Sequence, residues 1–494
     1  MPLLTPGRRW QPIYYPFRKE KLSHSILNTL EMLYKGPLWG CRQCGNCLLQ
    51  ETAFICPMEC PKGIRNGPCG GATEEYCYID KTRPCIWHKI YERAFKMGRQ
   101  ERLLEVLPPL DWDLVGGEQI GKLVAQVKKN GTGKVLRGLT STDPVKRKVT
   151  WDGIFRPVRQ PDWWQGDAEY HPPAYNEPVS GLETALNAGQ FVVTAEVQPP
   201  QTSATNKLKK NIELVKSFVT GVNFTDGASA TPRMSAVACS TLAAQQGAEP
   251  VLQIAARDTT RVALQSDALG ANALGIQNVL CLSGDSNRLA STPQGRLDIL
   301  DLDSVQMLWI LRRMRDEGRY LDGREIKFPP KLFLGAAASP FASRPEFQAL
   351  REHKKVNAGA QFFQTNLVFD PDRLDIWLNE LAKRHILDKV YILIGILPLK
   401  TFKVTKYMQD EIPGVFIPDS IMKRMEAADA AGNAAEEGVQ ITLELIEKIR
   451  TKEGVHGIHL MSVGWEEIIP RIVTEAGLLP DPISPTSEKK LNPM

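Results

Sequence analysis

The sequence predicts an α/β protein: a (β/α)8 TIM barrel preceded by a small cysteine-rich metal-binding domain. Three observations carry that prediction. After Gly181, short apolar, β-branched runs alternate with longer amphipathic stretches, the pattern of a parallel sheet covered on both faces. There are eight such runs, and eight units over about 300 residues suit a closed barrel better than an open sheet. Ahead of them lies a thiol block: eight of the ten cysteines fall between Cys41 and Cys85, and only Cys239 and Cys281 lie beyond it.

A chain of 494 residues is too long for one ordinary domain. We divide it into a cysteine-rich metal domain (1–120), a Pro/Trp-rich linker (121–180), the barrel (181–481) and a C-terminal tail (482–494). Hydrophobic residues at 43% supply a sizeable core, and the net charge of +5 is mild for this length. No run of five or six basic residues points to nucleic acid. The opening MPLLTPGRRWQPIYYPFRKE has neither an unbroken apolar segment nor a small-residue cleavage site, so no secretory signal is expected. The longest apolar run, YILIGILPL, is about half of a bilayer span. A cytoplasmic protein without a membrane span is expected, alone or as a homo- or hetero-oligomer.

The thiol block comes first along the chain. Cys41, Cys44, Cys47, Cys56, Cys60, Cys69, Cys77 and Cys85 follow the spacing C-x2-C-x2-C-x8-C-x3-C-x8-C-x7-C-x7-C. A C-x2-C step points two thiolates at one metal while the intervening amides face the sulfurs. Two steps in succession put three thiolates on one loop, which suits three corners of a 4Fe-4S cubane, and the Cys-Pro pairs at 56–57 and 60–61 match ferredoxin runs. The fourth ferredoxin cysteine is missing from its usual place. Tetrathiolate zinc uses the same knuckles and is the alternative. A disulfide framework fits poorly with the absent signal and the cysteine-poor remainder. Eight thiols suffice for two four-thiolate centres, whose ligation would supply much of this small domain's folding free energy. Gly67, Gly70 and Gly71 allow tight turns around them. A helix is expected to start at Cys85, with His88 as a surface or capping residue or a neighbour of a centre.

From about Lys122 to Ser180 the pattern loosens into segments rich in Pro, Gly and charge around Trp163-Trp164. So many aromatics indicate an ordered linker packed against a neighbour. The barrel strands are then read at 191–197, 221–227, 251–257, 278–285, 331–338, 360–369, 390–398 and 457–463. No G-x-G-x-x-G follows the first of them, so a Rossmann reading is unsupported. Barrels carry chemistry at the C-terminal ends of their strands. Those ends present Glu196, Thr225, Gln253, Asp285, Ala337-Ala338-Ser339, and Gln364 with Asn366. Glu196 and Asp285 would face one mouth, a pair able to divide acid and charge-stabilising roles. Asp285 could equally serve as a helix N-cap.

Taken in order, TAEVQPP, NFTDGA, RDTTR, LSGD, KKVNAGAQFFQTN and GILP resemble the methylenetetrahydrofolate reductase family. The thiol block, above all CGGATEEYCYIDKTRPCIW, resembles the cysteine-rich domain of that reductase's partner subunit in acetyl-CoA-pathway bacteria, here fused ahead of the barrel. The resemblance implies an FAD enzyme that reduces 5,10-methylenetetrahydrofolate to 5-methyltetrahydrofolate, or runs the reverse. It implies Glu196 as the general acid that opens the methylene bridge and Asp285 as the carboxylate beside flavin and pterin. It implies Thr225, Gln253, Ala337, Ser339 and Lys355 at the flavin, and Gln364 and Asn366 at the substrate. Three positions depart from the better-known bacterial members, which carry histidine at Gln253, tyrosine at Ser339 and glutamine at Asn366. The first two alter the flavin surroundings; the third bears on the electron donor, NAD(P)H or a redox protein. Two other readings are a pterin-binding methyltransferase component acting with a corrinoid protein, and a scaffold for redox partners.

Overall fold

Eight strands close into a barrel in a computed structural model of the protein, which describes residues 22–73, 75–285, 300–342, 344–412 and 414–480. The tail expected at 482–494 lies outside the described residues. The strands are β1 (Val192–Glu196), β2 (Gly221–Phe224), β3 (Pro250–Ala255), β4 (Asn278–Leu282), β5 (Phe333–Ala338), β6 (Phe362–Leu367), β7 (Tyr391–Ile396) and β8 (Gly457–Leu460). Each pairs in parallel with the next, and β8 returns to β1 through Val192–Gly457 and Thr194–His459. All eight expected strands are present, each shorter than its apolar run at one or both ends.

Alternate residues of each strand face the lumen. The lowest inward layer is apolar: Val192, Val251, Leu280, Phe333, Phe362 and Leu393 pack with Leu182 and Leu186. The rings of Phe333 and Phe362 stack at 4.8 Å. Leu182 and Leu186 belong to the helix Gly181–Asn187, capped by Ser180, so a helix and a layer of large side chains floor the barrel. Ligands therefore approach from the opposite, C-terminal end.

The outer helices follow their caps. The helix after β4 runs Ser304–Asp316. Asp303 stops it from starting earlier by accepting from the amides of Val305 and Gln306 while Gln306 reaches back to the Asp303 amide, a reciprocal capping box.

The N-terminal part has a helix at Leu22–Trp39, irregular chain through the thiol block, and a helix at Ile86–Lys96 that begins directly after Cys85. The expected linker needs correction. Three helices, Ile120–Asn130, Thr132–Leu139 and Pro144–Arg159, fill most of its length. Pro144 occupies the first turn behind the Asp143 cap, where no amide is lost. Trp164 does pack on a neighbour. It is fully buried, stacks on Trp309 at 3.9 Å, and donates its indole N–H to the Val106 carbonyl at 3.1 Å. One apolar cluster runs from Ile64, Trp87 and Tyr91 of the N-terminal part through Trp164 into the barrel's helix layer. Among the described residues no helix is long and apolar enough to cross a membrane.

His88 is neither a surface nor a capping residue. It is 4% exposed and packs against Phe347 of the barrel helix Pro345–Ala358. Burial pushes its pKa down to about 4. The folded state thus keeps His88 neutral where the unfolded chain protonates it, and stability falls as pH drops from about 6.5 toward 4. His88→Gln, which cannot titrate, is expected to gain on the wild type by about 3 kcal/mol across that window. Denaturant unfolding at stepped pH checks this; parallel curves for the two proteins would contradict it.

Candidate active site

Above the apolar floor the lumen becomes polar. Gln364 on β6 and Asn223 on β2 exchange amide hydrogen bonds across the barrel at 2.6 and 3.1 Å. Gln364 also donates to the Thr194 hydroxyl at 3.0 Å, and that hydroxyl lies 2.9 Å from Nδ1 of His459 on β8. His459 Nε2 faces Oε1 of Glu196 at 3.5 Å. Gln253 on β3 donates to the same Glu196 oxygen at 3.3 Å. Asn223, Gln364, Thr194, His459 and Gln253 are all buried, while the Glu196 side chain keeps 20% exposure at the rim. The strand alternation of β1 produces this: Val192 in the floor, Thr194 in the polar layer, Glu196 at the mouth.

The Asp285 carboxylate sits at the same mouth after β4. Its Oδ2 accepts from the Ser229 amide at 2.9 Å. Ser229 and Ala230 have φ of +60° and +52°, a conformation non-glycine residues adopt at a cost, and it turns this amide toward the carboxylate. Beside it, Asp226 accepts from the Ala255 amide at 2.9 Å, and burial raises its pKa. Thr225 Oγ1 and Arg257 Nη1 are buried and make no hydrogen bond among the described residues. Orphaned polar atoms at a barrel mouth fit a polar ligand such as a flavin, whose ring edge and phosphates need donors and acceptors.

The other expected flavin and substrate positions divide. Ala337 lies at the end of β5, and Asn366 lies on β6 where the β6–β7 register shifts, an irregularity of the kind that re-aims side chains near sites. Its amide oxygen accepts from the Leu367 amide at 2.8 Å. Lys355 does not reach the mouth. It is 1% exposed, pairs with Glu352 at 2.7 Å and donates to the Ala337 carbonyl, and burial lowers its pKa to about 8. Ser339 is 8% exposed because the cysteine module covers it: a Cβ on Gly70 would collide with the Ser339 hydroxyl. A larger residue at position 339 would meet that backbone.

The eight block cysteines separate into two sets, and all ten cysteines are free thiols. Cys41, Cys44, Cys47 and Cys56 line one cavity together with Lys35 and Met58. Burial, with a further contribution from neighbouring sulfurs, pushes Cys41 up to about 12 and raises Cys47 and Cys56. Cys60 interacts with Cys69 and Cys77, and Cys85 with Cys69 and Cys60; burial again leads, taking Cys60 up to about 11. Amides face these sulfurs, from Lys62 and Ile64 to Cys60 and from the first turn of the helix Ile86–Lys96 to Cys85. Lys35 stands 3.8 Å from the Cys47 sulfur. Each set gathers four thiols, buried or half-buried, with backbone amides or a lysine beside them. Among the described residues no three His, Cys, Asp or Glu side chains converge on one point as a single metal ion would require.

The sequence reading named Glu196, Gln253, Gln364 and Asp285, and the structure brings them to one end of the lumen. It missed Thr194, Asn223 and His459. Their signal was available, since each is a polar residue at an inward position of an otherwise apolar strand.

A (β/α)8 barrel with a paired-carboxylate mouth defines a class, and comparison with known proteins gives the family. Residues 181–477 match the family model described as methylenetetrahydrofolate reductase, and residues 22–113 match one described as methylene-tetrahydrofolate reductase C terminal. The chain belongs to the methylenetetrahydrofolate reductase family. Methylenetetrahydrofolate reductase 1 of Schizosaccharomyces pombe is 23% identical over 220 residues, 44% of this chain and 33% of that protein. The match thus spans about a third of the relative's length. An uncharacterized Clostridium thermocellum protein that binds two copies of 5-methyl-5,6,7,8-tetrahydrofolic acid superposes with a TM-score of 0.42 at 16% identity, over 60% of this chain and 97% of its own. Oxaloacetate acetylhydrolase gives 0.31 at 11% identity, over 61% of this chain and 85% of its own.

Gln364→Leu tests the lumen network. It strands the Asn223 amide and removes the donor to the Thr194 hydroxyl, and each buried unpaired group costs about 1–3 kcal/mol. Denaturant unfolding is expected to show a loss of about 2–4 kcal/mol; a neutral substitution would mean that water already satisfies these groups.

Proposed function

We propose that the protein reduces 5,10-methylenetetrahydrofolate to 5-methyltetrahydrofolate, or runs the reverse, with FAD in the barrel mouth and two thiolate-bound iron–sulfur centres in the N-terminal module. The observation that carries this is the placement of Glu196 at the rim, backed by Gln253 and by the His459–Thr194–Gln364 chain, with Asp285 at the same opening. The methylene bridge between two amine nitrogens is a poor hydride acceptor. Protonating one nitrogen opens it to an iminium cation, which accepts hydride readily. Glu196 gives that proton, a contribution of about 10²–10⁴-fold. His459 and Gln253 hold its carboxyl in place. Asp285 stabilises the positive charge that develops on the pterin. FAD, when bound, supplies the hydride, and Thr225 Oγ1 and Arg257 Nη1 are the free polar atoms to hold it.

The module supports single-electron input from a redox protein. Gly70, next to Cys69, lies on Ser339 at the mouth, so the Cys60, Cys69, Cys77 and Cys85 set is the one nearer the site. The Cys41, Cys44, Cys47 and Cys56 set opens beside the helix Leu22–Trp39. Zinc in these sets would make the module structural and NAD(P)H the donor.

Protein purified without oxygen, with flavin, iron and zinc quantified on one sample, tests the cofactor assignment. Several irons per chain and flavin bands are expected; zinc without iron refutes the electron-input role. Glu196→Gln is expected to lower methylene-folate reduction by about 10²-fold or more with flavin content unchanged. Wild-type turnover in that variant would sink the assignment of the acid. Methyl transfer to a corrinoid protein without net redox would favour the methyltransferase reading instead.

A further inference from the structure

The segment CGGATEEYCYID has a role that thiol ligation leaves unexplained. Tyr78, directly after Cys77, leaves the module and brings its phenol beside Asp285 of the barrel, with Lys62 both over its ring and on the Gly284 carbonyl. Its surroundings fix it there. One ring face lies against Gly71, where an added Cβ would sit 2.8–3.1 Å from the ring atoms, so only glycine admits the phenol in this position. Lys62 approaches the ring at 5.4 Å. The Lys62 ammonium also donates to the Gly284 carbonyl at 2.8 Å, and its own carbonyl accepts from the Leu300 amide at 3.0 Å. The turn that carries Tyr78 is closed by hydrogen bonds between Asp80 and Cys77 and between Cys77 and Arg83, and by the Arg83–Asp80 ion pair at 3.1 Å. Two residues of the cysteine module thus grip the loop after β4, one on its backbone and one on its carboxylate.

We propose that Tyr78 is a positioning residue of the reaction site, its hydroxyl donating to the Asp285 carboxylate and, with the Ser229 amide, holding that carboxylate in the mouth. The barrel alone offers Asp285 the amide of a strained loop; the module supplies the second donor. The inference rests on the role proposed above for Asp285. It gives the fusion a function independent of electron supply: the module completes the site, and a centre on Cys77 would fix the turn from which Tyr78 projects.

The test is Tyr78→Phe in the full chain, alone and combined with Asp285→Asn, on protein whose metal and flavin contents match the wild type. Loss of the hydroxyl leaves more negative charge on the carboxylate and less control of its orientation. The expected result is a fall in kcat of about tenfold, the scale of one hydrogen bond to a charged group, with a smaller change in KM. The midpoint potential of the bound flavin should also fall, because added negative charge opposes reduction. In the Asp285→Asn background, Tyr78→Phe should change neither quantity. Gly71→Ala, which displaces the ring and keeps the hydroxyl, should reproduce the single-variant effect. A Tyr78→Phe protein with wild-type kcat and potential overturns the proposal, as does an equal effect in both backgrounds. If wild-type protein binds flavin but never reduces methylene-folate, the folate reading falls, while the potential shift and its loss with Asp285→Asn still test the Tyr78 contact.

Discussion

The Asp303 carboxylate is 3% exposed and binds in two directions. One oxygen accepts from the Val305 and Gln306 amides and so starts the barrel helix Ser304–Asp316. The other accepts from the Arg65 amide at 3.1 Å and the Asn66 side chain at 3.0 Å, both in the thiol block. Asn66 continues to the Leu107 amide, and Gln306 donates to the Leu107 carbonyl. The Arg65 guanidinium reaches the Pro108 and Asn46 carbonyls and thereby ties down the loop between Cys44 and Cys47. A buried carboxylate with its lone pairs committed in this way permits one relative placement of module and barrel, since any shift leaves a charge unpaired. The covering of Ser339 by Gly70 and the reach of Lys62 and Tyr78 to the loop after β4 depend on that placement.

Within the barrel, function is sorted by height. The inward side chains of the floor are apolar, the middle layer is a chain of hydrogen-bonding groups, and Glu196 and Asp285 stand at the open end. The order is electrostatically sensible. A charge in the floor would be buried without a partner, whereas one at the rim borrows orientation from the polar layer and keeps contact with the opening. His459 links the two upper levels, because its Nδ1 is satisfied from below by Thr194 and its Nε2 faces Glu196.

Two departures from the family pattern become intelligible. Ser339 leaves room for the Gly70 backbone, which a larger side chain would meet. Gln253 serves as a donor to Glu196, a task its amide performs in one protonation state at every pH. Lys355, by contrast, is committed to Glu352 and the β5 backbone; its position in the last turn of the Pro345–Ala358 helix keeps it in the layer between helix and sheet.

The sequence by itself determined the barrel, the eight strands, the grouping of the thiols and the rim carboxylates. Each is written in local pattern: apolar runs of strand length, cysteine spacing, polar residues ending apolar runs. Helix in the segment expected as a linker was hidden by its content of Pro, Gly and charge, and the Asp143 cap and the packing of the three helices show it. What the tertiary structure decided is everything that depends on meetings across distance in the chain. Gln364 meets Asn223 and Thr194 only when the sheet closes, and Tyr78 meets Asp285 only when the module docks. Side-chain periodicity says which face a residue occupies, but hydrogen-bond partners are chosen by the closure of the sheet and by the burial that makes an unpaired polar group costly.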